Sequence, residues 1–146
     1  MGVFVAEVRP RWSDMDAFGH VNHASLVTIL EEARVALLFE EAVRRGVTEL
    51  GKGVVVAKLS IEYRAPLVVD GSAVRIELAV RDLRAASFAM DYTVISGRGE
   101  RARTVATAHT LIAPYDLEQS SPRRLSDAER DFLAGWLAET PGRGSA

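Results

Sequence analysis

Arg11-Trp-Ser-Asp-Met-Asp-Ala-Phe-Gly-His-Val-Asn-His23 is the stretch whose reading decides the fold. It joins an alternating run to the longest helical pattern in the chain, and holds two carboxylates, two of the three histidines, a glycine and an asparagine. Loops between rigid elements are where chemistry concentrates, because backbone and polar side chains stay open to a ligand there. Asn22 is suited to cap the helix that follows, accepting from an otherwise unpaired N–H. The first turn of that helix offers free backbone donors and the positive end of a dipole, so an oxygen gaining negative charge is stabilised there.

Working outward, Phe4, Ala6, Val8, Pro10 and Trp12 alternate with Val5, Glu7, Arg9 and Arg11, which predicts a strand over 4–12 with Pro10 at an edge or strand end. On the other side, Leu26, Ile29, Leu30, Ala33, Leu37 and Leu38 fall on one stripe of a helix over 23–45, ending at Gly46. At 1.5 Å per residue that helix is roughly 33 Å long, enough to cross a small domain. Four alternating runs follow, over 55–63, 74–81, 88–96 and 103–113, separated by turns such as Asp70-Gly71 and Ser96-Gly-Arg-Gly99 that favour antiparallel pairing. Ala106 and Ala108 on one face of the last run let a sheet approach a helix closely. Ser126-Asp-Ala-Glu129 is a capping-box pattern opening a short C-terminal helix. The expected unit is a single domain over 1–140, with 141–146 as a frayed tail.

The chain's 146 residues allow one well-buried core and not two ordinary domains. Net charge −2 argues against a nucleic-acid partner, and the absence of cysteine excludes disulfides, thiolate metal sites and cysteine nucleophiles. No apolar run reaches the ~20 residues of a membrane span, and the N-terminus has no signal-like pattern, so a cytoplasmic protein is expected. Asp14, Asp16 and Gly19 match three positions of a calcium loop, but Phe18 stands where an oxygen ligand belongs and Ser25 replaces the final glutamate. Asp16, His20 and His23 have the ligand types of a zinc site without further support for its geometry. No metal is implied.

Strand, long helix, then four strands describes an α+β architecture: a five-stranded antiparallel sheet wrapped around a central helix. Together with Asp14-Met-Asp16, Gly19-His-Val-Asn22, Leu30-Glu-Glu-Ala-Arg34 and Ile61-Glu-Tyr-Arg-Ala-Pro66, this order resembles the hotdog-fold acyl-CoA thioesterases, particularly the 4-hydroxybenzoyl-CoA thioesterase-like branch. The resemblance implies hydrolysis of acyl-CoA thioesters, with coenzyme A as part of the substrate and no separate cofactor. It places the catalytic carboxylate at Asp16, the oxyanion-binding amide at His23 and an acidic helix residue at Glu31. It further implies a homodimer or homotetramer with the site at the subunit boundary.

The residues themselves leave alternatives. Asp16 in such a loop commonly bonds its own backbone, and Asp14 caps the turn or stays solvated. Glu31 is placed equally to pair with Arg34 at i+3. His20 reads as a loop-packing or substrate-contacting residue, since Phe18 replaces the asparagine that accompanies a catalytic histidine in plant acyl-carrier-protein thioesterases. Asn22 flanks the same site. By resemblance Tyr63 and Arg64 complete a neighbouring subunit's pocket, and Arg84 and Ser87 contact the nucleotide, with Arg98, Arg101 and Arg103 as other basic candidates. Acyl-carrier-protein thioester hydrolysis and acyl-CoA binding without turnover are the alternative functions.

Overall fold

The computed structural model describes residues 2–138; the tail expected over 141–146 lies outside them. Strand β1 (Phe4–Val8) leads through a single 3₁₀ turn (Trp12–Asp14) into helix α1, residues 23–44. Strands β2 (Val54–Tyr63), β3 (Val74–Arg81), β4 (Phe88–Ser96) and β5 (Arg103–Asp116) follow, then the two-residue β6 (Ser121–Pro122) and helix α2 (Asp127–Ala134). The strands form one antiparallel sheet in the order β1-β3-β4-β5-β2, with β6 paired to the far end of β5. This is the hotdog arrangement, a sheet curled around a long helix.

The stripe read from the sequence is what the sheet wraps. Leu26, Ile29, Leu30, Ala33, Leu37 and Leu38 are all buried, against Ile76, Leu78, Met90, Tyr92, Val94, Ala106 and Ala108 of the sheet's inner face. Each large apolar side chain removed from water in this way contributes about 2 kcal/mol. Helix α1 is not uniform. Its α-helical part His23–Val35 passes into a π-helical stretch, Ala36–Glu41, and regains α pitch for Ala42–Arg44. Beyond it, Gly46 takes a φ of +82°, as a helix-ending glycine does.

Strands β1 and β2 depart from the expectation, one in extent and one in regularity. Strand β1 stops at Val8 rather than residue 12, because Pro10 has no N–H for a ladder and Asp14 then draws Arg11 N–H into a turn. Strand β2 is interrupted by a bulge between Val56 and Lys58. A bulge adds one residue to one strand and so moves the alternation by one. Val56, opposite the buried Ile112, therefore shares the inner face with Leu59, Ile61 and Tyr63, where simple alternation assigns Val55.

At the opposite edge, the chain after α2 takes the place beside β3 that the short β1 leaves open. Val80 N–H donates to Trp136 O at 2.9 Å and Ala138 N–H to Val80 O at 2.8 Å. Trp136 stacks edge-on with Phe4 at 5.4 Å, and the Arg45 guanidinium lies 5.6 Å from its ring centre. Helix α2 is held by a buried ion pair in which Arg123 donates to both oxygens of Glu129, at 2.8 and 2.9 Å.

Candidate active site

The junction loop is built from its own backbone. Asp14 is buried, and its carboxylate accepts from the Arg11 N–H at 2.7 Å while its carbonyl accepts from Asn22 N–H at 2.8 Å. Burial pushes the Asp14 carboxyl up, but hydrogen bonds from Arg11 and Ser25 and the Arg11 charge together outweigh it and hold it below the ordinary value. Asp16 N–H donates to His20 O at 2.7 Å, and Asp16 Oδ1 accepts from Phe18 N–H at 2.8 Å and His20 N–H at 3.2 Å. Gly19, with φ of +78°, supplies the left-handed turn that lets the loop double back. The segment after β2 then buttresses it, Val21 N–H donating to Leu67 O at 2.7 Å.

This folding delivers Asp16 to the mouth of α1. Asn22 caps the helix, its side-chain oxygen accepting from Ala24 N–H at 2.8 Å. The cap claims one first-turn donor and leaves the His23 N–H without a partner among the described residues. Asp16, His20, Val21 and His23 line one side of an open cleft of about 590 Å³, and Tyr63, Ala65 and Pro66 line the other. The Tyr63 hydroxyl reaches His23 O at 3.5 Å. Partial burial raises the pKa of this phenol, so it remains a neutral donor at physiological pH.

The turn reading of Asp16 and the site reading are thus both visible, divided between its two oxygens: Oδ1 ties the loop, and Oδ2 has no partner among the described residues. Other expected residues fall elsewhere. The Glu31 side chain is 63% exposed, lies 3.7 Å from the Arg34 guanidinium and does not line the cleft. Arg64 is exposed, with its N–H bound to Val105 O at 2.8 Å. Arg84 and Ser87 close the β3–β4 turn through a 2.8 Å backbone bond. That turn lies past Phe88 and Val56, at the opposite end of the sheet from Tyr63. Tyr63 sits in the cleft of its own chain. Sequence reasoning misses Val21, Ala65 and Pro66 as lining residues; the apolar run through Pro66 and Val69, placed between a strand and a turn, is the available signal.

The profile of the thioesterase-like superfamily matches residues 10–137. The chain belongs to the thioesterase-like superfamily. Membership supports thioester hydrolysis in general terms. Among solved structures, the PA5185 protein of Pseudomonas aeruginosa strain PAO1 superposes with a TM-score of 0.79 at 22% identity, covering 94% of each chain. Slr0204, a 1,4-dihydroxy-2-naphthoyl-CoA thioesterase from Synechocystis, gives 0.74 at 19% identity, covering 91% of this chain and 96% of that one. A Thermus thermophilus thioesterase complexed with coenzyme A and zinc gives 0.70 at 25% identity, covering 90% and 92%. A search of curated proteins by sequence returned no match. Among the described residues no helix is long and apolar enough to cross a membrane.

Proposed function

We propose that this thioesterase-like protein hydrolyses acyl-CoA thioesters, with Asp16 as general base and the His23 N–H as oxyanion donor. The observation that carries the reading is the meeting of the Asp16 carboxylate and the open first turn of α1 in one cleft. The coenzyme A complex of the Thermus thermophilus thioesterase supports a CoA thioester as the substrate class. A cytoplasmic location belongs to the same proposal.

The chemistry is written with few groups. Asp16 takes a proton from water as the water oxygen bonds to the thioester carbon. The carbonyl electrons move onto oxygen, where the His23 N–H and the positive end of the helix hold the charge. The carbonyl re-forms, the C–S bond breaks, and the proton held by Asp16 returns to the departing thiolate. Thiols ionise near pH ~8.5, so this leaving group needs no strong acid. Direct attack by Asp16 through an acyl-enzyme anhydride uses the same geometry.

The reading includes a dimer built through β2. That strand is a free sheet edge whose inner-face residues Val56 and Leu59 are 43% and 41% exposed. Exposed apolar edges of this kind call for a partner. Antiparallel pairing of two β2 edges about a two-fold axis would carry the partner's Arg84–Ser87 turn to the Tyr63 end of this chain, beside the cleft. Arginine there suits the phosphates of coenzyme A.

The test is release of coenzyme A thiol over a panel of acyl-CoAs, with native protein and Asp16→Asn. Native turnover that falls about 100-fold or more in the variant is the expected outcome. Turnover kept in Asp16→Asn defeats the assignment. Inhibition by free coenzyme A separates this substrate class from acyl-carrier-protein thioesters.

A further inference from the structure

Helix α1 carries a cation that the proposed chemistry does not use. The Arg34 side chain is only 12% exposed. Its Nη1 donates to the Tyr92 hydroxyl at 3.2 Å, and that hydroxyl is shared with Thr110 Oγ1 at 2.8 Å, both residues being fully buried. A guanidinium has five donors. Among the described residues the only carboxylate near it is Glu31, 3.7 Å away and 63% exposed. A long, solvated contact of that kind neutralises little. With one donor met by Tyr92 and none of the others buried without a partner among the described residues, the remaining donors of the fork stay open to a further acceptor.

Its position says which acceptor. Val27, Glu31 and Arg34 follow one another on a single stripe of α1. The helix passes beside Tyr63 at its start and over Thr110 at Arg34. Thr110 is the cross-strand partner of Leu59, and Leu59 shares the inner face of β2 with Tyr63. Val27, Leu59 and Tyr63 are all more than one-third exposed on this side. They form an apolar strip that starts at the cleft and ends at Arg34. From the His23 amide to the guanidinium, which leans back toward the helix start, the run is roughly 10–15 Å.

We infer that Arg34 is the far end of the acyl site, and that the preferred acyl group is a medium-length chain bearing an oxygen acceptor, a carboxylate or hydroxyl, at its distal end. The inference rests on the thioesterase reading given above. The apolar strip accommodates the methylenes. The guanidinium fork then takes the terminal oxygens, as arginine does with carboxylates. A plain alkyl end would instead strip water from guanidinium donors and offer no acceptor in its place.

The experiment compares kcat/KM for three eight-carbon CoA thioesters, ending in methyl, hydroxyl or carboxylate, in native protein, Arg34→Met and Arg34→Lys. The native enzyme should favour the carboxylate end over methyl by about ten-fold or more, on the scale of one charge-assisted pair. The ratio should fall toward one in Arg34→Met and take an intermediate value in Arg34→Lys, which keeps the charge but loses the fork. Sedimentation and circular dichroism accompany each variant. If Arg34→Met does not fold, Arg34→Lys decides, a lowered ratio supporting the inference and an unchanged one overturning it. Equal or methyl-favouring native turnover overturns the inference while leaving the thioesterase reading in place. So does a ratio unchanged in Arg34→Met. A native ratio near one with loss of subunit association in Arg34→Met assigns the arginine to the dimer contact instead. No turnover of any of the three esters, nor of the wider acyl-CoA panel, removes both readings.

Discussion

The two oxygens of Asp16 stand in different surroundings, one accepting from the Phe18 and His20 amides and the other without a partner among the described residues. Asparagine keeps an oxygen for those amides and removes the charge, whereas alanine removes both. Asp16→Asn should therefore lose activity at nearly unchanged stability, and Asp16→Ala should also lose about 1–2 kcal/mol, read from denaturant midpoints. A second residue-scale prediction concerns Glu129. Burial pushes this carboxyl up, but the bidentate Arg123 pair and the Ser126 N–H outweigh burial and hold it below its ordinary value of 4.5. Its contribution to stability is present above the unfolded pKa and is lost as pH falls through the folded one. Glu129→Gln should cost about 3 kcal/mol at neutral pH. The native and variant unfolding curves should then converge as pH drops below 4.5. Parallel curves across that range would exclude the pair as a source of acid sensitivity.

Elements with a period of their own were legible in the sequence. The buried stripe of α1, the Asn22 cap, the capping box at Ser126 and the alternation of β3, β4 and β5 all follow from local spacing, and each appears as read. What escaped depends on contacts between elements. The bulge in β2 exists because of its pairing with β5, the π-helical turns show no distinct spacing, and β6 is two residues long. The site divided similarly. Asp16, His20, His23 and Tyr63 converge on one cleft, while Glu31, Arg64, Arg84 and Ser87 are not among its lining residues, although Arg64 stands between two of them. Motif spacing reports sequence distance, and Arg84 and Ser87 are at the other end of the sheet. The cap gives a prediction at this scale. Asn22→Ala should destabilise the protein by about 1 kcal/mol. It should also lower activity more than stability, because the freed Ala24 N–H and the loosened first turn adjoin the His23 N–H, the proposed oxyanion donor. A proportionate change in both would make the cap structural only.

For the whole molecule the exposed β2 edge sets the expected assembly. Sedimentation should give a dimer or larger species, and Val55→Lys with Val56→Lys, both on the exposed β2 edge, should shift it toward monomer and reduce turnover together, since charge on an edge strand opposes pairing. Full activity in a monomeric variant would remove the second subunit from the site. The π-helical stretch Ala36–Glu41 has a consequence at this scale too. It spends one amino acid more than regular pitch needs, so everything past it is rotated by about 100° relative to a straight α-helix. The clamp of Arg45 on Trp136, and through Trp136 on Phe4, depends on that rotation, whereas the cleft at the helix start precedes it. Removing a single codon within 36–41 should therefore leave the loop and cap in register and unlatch the opposite rim, giving a protein that still turns over substrate when cool and melts early.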